Sequence, residues 1–136
     1  MAQKSKVLVF DSWAVLAFFE DEPAAAAIEE LIADARDQGI SILMSVINVG
    51  EVWYTLARRV SAPAADEAIL QLQQIGIRFI DVDWSLTRDA AAFKSKNRMS
   101  YADSFAAALA GTRHAQLVTG DPEFKPLERL IDIRWV

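Results

Sequence analysis

Val7-Leu8-Val9-Phe10-Asp11-Ser12 is the stretch that decides the fold. Four consecutive apolar residues suit a short strand buried on both faces, and a carboxylate followed by a hydroxyl ends the run. Strands buried on both faces belong to parallel sheets, whose crossovers are helices. Ser12 to Phe19 reads as such a helix, apolar and short, broken by Glu20-Asp21-Glu22-Pro23.

The alternation continues outward. Ala24 to Gln38 is predicted helical, with Ile28, Leu31, Ile32 and Ala35 on one face and Gly39 as its C-terminal stop. Ile40 to Met44 reads as a second buried strand. Ser45 then caps a helix with the stripe Val49, Val52, Trp53, Leu56 and Val60. Pro63 opens a helix reaching about Ile75, followed by a strand from Ile77 to Val82 and a helix from Trp84 to about Phe93. Lys94 to Met99 reads as a polar, basic connection. Ser100 to Ala110 is an Ala-rich helix, Gln116 to Thr119 a strand, Gly120-Asp121-Pro122 a turn, Glu123 to Leu130 a short helix, and Ile131 to Val136 a last strand. Helices alternating with buried strands predict an α/β fold: a three-layer α/β/α sandwich with a central, mainly parallel sheet, one domain over residues 1–136. Ligands of such sheets bind beyond the carboxyl ends of the strands, where Asp11 and Asp121 fall.

Composition sets the outer bounds. The chain has 136 residues and is 53% apolar, enough for a substantial core. No apolar run approaches the ~18 residues of a membrane span. Lys4 and Lys6 precede the first run, but that run ends after Phe10, too soon for a secretory signal. The absence of cysteine excludes disulfides and thiolate metal sites, and a cytoplasmic protein is the simplest expectation. Lys and Arg total 14 against 19 Asp and Glu, a net charge of -5, which does not suit a general nucleic-acid coat. High apolar content with four Trp predicts a homodimer, with Trp13, Trp53, Trp84 and Trp135 serving as core or subunit interface.

Four acids stand out: Asp11, Glu51, Asp103 and Asp121 each lie beside an apolar run. Unpaired charge near a core is expensive, and a divalent cation turns the mutual repulsion of converging carboxylates into binding. Each also has an ordinary reading. Asp11 is well placed as a helix N-cap, which taken alone is the better account. Glu51 points about 160° from its helix's apolar stripe, as a solvated residue would, yet it lies in the first turns after a strand. Ser100-x-x-Asp103 resembles a capping box, but the helix it opens is apolar or tiny almost all round, and a carboxylate enclosed there needs a partner. Asp121 also suits turn chemistry. Ser12 and Thr119 supply hydroxyls beside Asp11 and Asp121. Lys94, Lys96 and Arg98 lead into the Asp103 helix, where they would hold a phosphate backbone; otherwise they form a solvated loop. The single histidine, His114, excludes histidine-based metal sites and reads as a surface residue beyond a helix end, and no Gly-rich phosphate loop is present.

In order along the chain, Val7-Leu8-Val9-Phe10-Asp11-Ser12, Asn48-Val49-Gly50-Glu51-Val52, the run from Tyr101 to Ala110, and Leu117-Val118-Thr119-Gly120-Asp121-Pro122-Glu123-Phe124 resemble the PIN-domain ribonucleases, specifically the VapC-type toxins of prokaryotic toxin–antitoxin pairs. The resemblance covers essentially the whole chain. It implies a PIN-like fold and a dimeric endoribonuclease that depends on Mg²⁺ or Mn²⁺ and is inhibited by a cognate antitoxin. Asp11, Glu51, Asp103 and Asp121 map to the family's catalytic, metal-binding acids, and Ser12 and Thr119 to its hydroxyl positions. Two alternatives stand beside this one. An aspartate-based phosphatase fits poorly, because Asp11-Ser12-Trp13 has no second acid. A non-catalytic PIN-like interaction module would not need all four acids.

Overall fold

The computed structural model describes residues 7–136; Lys4 and Lys6 lie outside them. The chain order is β1 (Val7–Phe10), α1 (Ser12–Phe19), α2 (Ala25–Gln38), β2 (Ser41–Ser45), α3 (Val46–Arg59), α4 (Ala62–Gln74), β3 (Ile77–Ile80), α5 (Trp84–Lys96), α6 (Tyr101–Thr112), β4 (Gln116–Thr119), a 3-10 helix (Pro122–Leu127) and β5 (Asp132–Trp135). Among the described residues five strands form one sheet in the order β3-β2-β1-β4-β5. Every pairing is parallel: Val9 stands between Leu43 of β2 and Leu117 of β4. The central strand is therefore the one the sequence marks most clearly.

Side chains alternate across the sheet with the period of two that strands impose. Leu8 and Phe10 join Ile42, Met44, Ile77 and Val118 under α1 to α4. Val9, Leu43 and Leu117 face the other way, onto Leu86 and Ala90 of α5 and Phe105 to Ala110 of α6. These two cores make the three layers of an α/β/α sandwich. Small side chains let α6 lie close to the sheet, since Ala106 to Ala108 and Ala110 are all buried.

Local chemistry fixes the helix ends. Ser45, Ser61, Asp83 and Ser100 accept from backbone amides as N-caps of α3, α4, α5 and α6. Gly39 ends α2 in the left-handed region at φ 67°, and Ile40 N donates back to Ala35 O (2.8 Å).

Three local expectations are corrected. Trp53 and Val60 do not belong to the buried stripe of α3: Val60 is 68% exposed, and Trp53 Nε1 reaches sideways to Asp66 Oδ1 of α4 (2.8 Å). The segment after β4 is a 3-10 helix rather than an α-helix. Pro126 has no N–H to offer Pro122, four residues back, so the α pattern cannot be completed. Finally, α5 runs on to Lys96, so Lys94 and Lys96 are helical and only Asn97 to Met99 connect to α6. Cations complement the helix dipole there, Asn97 Nδ2 donates to Phe93 O (3.0 Å), and Lys94 Nζ donates to Met99 O (2.7 Å).

Candidate active site

The strand order locates a crevice before any side chain is considered. From β1 the chain moves out to β2 and β3, then returns to place β4 on the other side of β1. Connections leaving the carboxyl ends of β1 and β4 diverge to opposite faces, and ligands of open α/β sheets bind at such a reversal.

Asp11 sits at that point, fully buried. Its two oxygens have different tasks. Oδ1 accepts from Ala14 N (2.9 Å) and caps α1. Oδ2 accepts from Thr119 Oγ1 (2.6 Å) at the end of β4. The cap and the cluster are thus compatible, because a carboxylate has lone pairs for both. Having given its one proton to Asp11, the Thr119 hydroxyl accepts from Asp121 N (3.0 Å). Asp121 Oδ1 in turn accepts from Glu123 N and starts the 3-10 helix (3.0 Å). One hydroxyl therefore ties the end of β1 to the loop after β4.

Glu51 enters from α3. It is half-buried and accepts from Ser12 Oγ, so the direction that leads away from its own helix's stripe leads toward α1. Asn48, one turn earlier, is fully buried. Its Oδ1 accepts from Ser45 Oγ (2.6 Å) and its Nδ2 donates to Ala102 O (3.0 Å), fastening α3 to the first turn of α6. That turn carries Asp103, whose N–H is held by Ser100 Oγ (3.0 Å) as the capping box predicts. Its carboxylate is turned to other acids: ligand oxygens of Asp103, Asp121 and Glu123 all lie within 4.8 Å of one another.

Glu123 is the acid that sequence reading missed. The signal available was Asp121-Pro122-Glu123, two acids flanking a proline, but placing Glu123 in an ordinary helix hid its direction.

The electrostatics bind the acids into one group. Burial pushes the Asp11 carboxyl up to about 7 against the stabilising bonds from Thr119 and Ala14, and the charges of Asp121 and Glu51 add to the rise. Asp103 is raised for the same first reason, then by its hydrogen bond with Glu123 and the charges of Asp121 and Asp11. Each of the two feels acids on other elements, so all five share one field. A hard divalent cation fits this donor set: every donor is a carboxylate oxygen, three are within shared reach, and nitrogen and sulfur ligands are absent from the set.

Lys94, Lys96 and Arg98 are exposed on the segment leading to α6, with Lys94 engaged by the Met99 carbonyl. His114 is exposed beyond the far end of α6 from Asp103, as expected.

A family model described as the PIN domain matches residues 8–130. The chain belongs to the PIN-domain family. No curated protein matches the sequence. Solved structures similar to this PIN domain include Mycobacterium tuberculosis VapC20, a sarcin–ricin loop cleaving toxin, at 18% identity and TM-score 0.71, covering 88% of this chain and 93% of that one. VapBC2 of Rickettsia felis, solved bound to a DNA fragment from its promoter, matches at 16% identity and TM-score 0.72 over 94% and 97% of the two chains. VapBC-1 of nontypeable Haemophilus influenzae matches at 15% and 0.71 over 95% and 97%. At these identities the PIN domain shares their fold. Among its described residues no helix is long and apolar enough to cross a membrane.

Proposed function

We propose that this PIN domain is a divalent-cation-dependent endoribonuclease, the toxin of a toxin–antitoxin pair, acting in the cytoplasm as a homodimer. The observation that carries the reading is the convergence of Asp11, Glu51, Asp103, Asp121 and Glu123 at the carboxyl edge of the sheet. The likeness to folds solved from VapBC systems supports an antitoxin partner.

Asp11, Asp103 and Asp121, with Glu51 and Glu123, would hold Mg²⁺ or Mn²⁺ directly or through water. When bound, the cation supplies a Lewis acid that activates water and offsets charge on the phosphate. The protein's own part is positional. Thr119 locks the Asp11 rotamer through Oδ2, and Ser12 does the same for Glu51. With Asp103 raised by burial and by its neighbour Glu123, its carboxyl must lose its proton before both of its oxygens can serve as ligands. Lys96 and Arg98, exposed on the approach to α6, would hold the RNA backbone, whereas Lys94 also closes the end of α5. No side-chain nucleophile is required, consistent with zero cysteines and a distant His114.

The test is incubation of purified protein with total RNA, with and without Mg²⁺ or Mn²⁺, and mapping of new 5′ ends. Discrete cleavage that needs the metal is expected. Intact RNA in both metals, from protein shown to be folded, overturns the assignment.

A further inference from the structure

Gly120 lies between Thr119 and Asp121, and its lack of a side chain has a reason that the acid cluster does not supply. A Cβ built there would lie 2.1 Å from Trp13 Cη2, 2.5 Å from Cζ3 and 2.6 Å from Cζ2. Such distances leave no room for an alanine while the indole stays in place. Among the described residues, positive-φ glycines are Gly39 and Gly76 only, so position 120 needs glycine for close approach rather than for backbone shape. The ring edge of Trp13 therefore presses directly on the backbone of the loop that carries Asp121.

Three consecutive residues at the start of α1 consequently grip three different parts of the site. Asp11 holds Thr119, Ser12 holds Glu51, and Trp13 bears on Gly120. The first two grips are hydrogen bonds to groups in the crevice. The third comes from outside it: Trp13 also lines an open cavity of about 660 Å³ together with Leu16, Pro23 and Val136, rimmed by the Glu20–Arg59 ion pair. Val136 N donates to Thr119 O (3.1 Å), so this cavity wall touches the β4 end twice.

We infer that Trp13 is a positioning residue, a buttress that sets where Asp121 stands by packing on Gly120. This rests on the cation-binding reading above and deepens it. The stiff indole limits how far the loop can retreat from Asp103, and Asp121 must stay within reach of Asp103 and Glu123 for the three to share a ligand.

The test is a reciprocal one, read as Mn²⁺ affinity by isothermal titration and separately as melting temperature without metal. Gly120→Ala should weaken Mn²⁺ binding at least tenfold, because the new methyl and the ring cannot both stay. Trp13→Leu should weaken it about fivefold by removing the buttress. The double variant Trp13→Leu/Gly120→Ala should return to within about threefold of wild type, the methyl occupying space the ring gave up. Leu16→Ala serves as control: it lines the same cavity away from Gly120, so it should lower the metal-free melting temperature and leave Mn²⁺ affinity unchanged. If Trp13→Leu behaves like Leu16→Ala, or if the double variant binds no better than Gly120→Ala, the inference is overturned. If Gly120→Ala does not fold, the Trp13→Leu and Leu16→Ala pair decides alone. Wild-type protein that binds no Mn²⁺ sinks the cation-binding reading itself, whereas wild-type binding matched by all variants sinks only the buttress.

Discussion

Replacing Asp11 with Asn should stabilise the metal-free protein, by an amount that depends on pH in a defined way. Asp11 is fully buried and its carboxyl is raised from 3.8 to about 7 by that burial. Between these values the folded chain keeps a proton that the unfolded chain has lost. Folded protein then binds more protons than unfolded, so the contribution of Asp11 to wild-type stability falls as pH rises from about 4 to about 7 and levels off above, while Asp103 carries its own fall to about 8 in wild type and variant alike. At about 1.4 kcal/mol per unit, the full cost of ionising Asp11 in place is roughly 4 kcal/mol. An Asn side chain keeps the cap on Ala14 N, and its amide can donate to the Thr119 hydroxyl once that hydroxyl turns, so the shape survives while the charge goes. Any loss in those hydrogen bonds is independent of pH. The informative quantity is therefore the change in the stability gap between the Asp11→Asn variant and wild type from about pH 5 to about pH 7.5, which should grow by roughly 2–3 kcal/mol. For a chain of this size that is a widening of roughly 6–12 °C in melting temperature. Differential scanning fluorimetry in EDTA across that range measures it. Mg²⁺ at a hundredfold its dissociation constant should then close the gap by about 2.7 kcal/mol, by stabilising wild type alone. A gap that stays constant with pH would refute the burial argument, and a gap untouched by Mg²⁺ would refute the ligand role.

Asp103→Asn should abolish RNA cleavage, and Glu123→Gln should reduce it at least tenfold, with both proteins folded by circular dichroism; wild-type rates in saturating Mg²⁺ would remove these carboxylates from the site. Cleavage should rise from about pH 6 to about pH 8, because the raised Asp11 and Asp103 carboxyls must ionise before they can bind a cation, and a profile flat across that range would contradict it. Lys96→Ala/Arg98→Ala should weaken binding to many RNAs alike and flatten the salt dependence by up to about two phosphate contacts, measured on an Asp103→Asn background, while an unchanged slope would return them to a solvated surface role. The exposed Trp84 and Tyr101 add to the case for a homodimer, and light scattering over a concentration series should give twice the chain mass at micromolar protein.

What the sequence disclosed follows from which physical rule governs each position. Val7 to Phe10 was legible because a central parallel strand must be apolar on both faces, and its end then marks the site. Asp103 was legible because a carboxylate in a helix of buried alanines has no innocuous surroundings. The extension of α5 through Lys96 was hidden because its last turn has no apolar partner to reveal a period; side chains of Asn97 and Lys94 capping backbone carbonyls define it instead. Trp53 was misplaced because an indole fits an apolar stripe by type, while its N–H lets it lie at the surface against Asp66. Glu123 was missed because its aim depends on a 3-10 turn that two prolines impose together.

The Thr119–Asp11 bond joins residues 108 positions apart, and it closes only when β4 takes its place beside β1. During synthesis, a chain that has left the ribosome only as far as α6 holds β1, β2 and β3 with their helices, but not yet β4. It would still lack the hydroxyl that orients Asp11, as well as Asp121 and Glu123. The acid cluster is thus incomplete in a chain cut short before β4, and is assembled only as β4 docks beside β1. A protein that acts on RNA would in this way be kept inert while it is still attached to the machine that makes it.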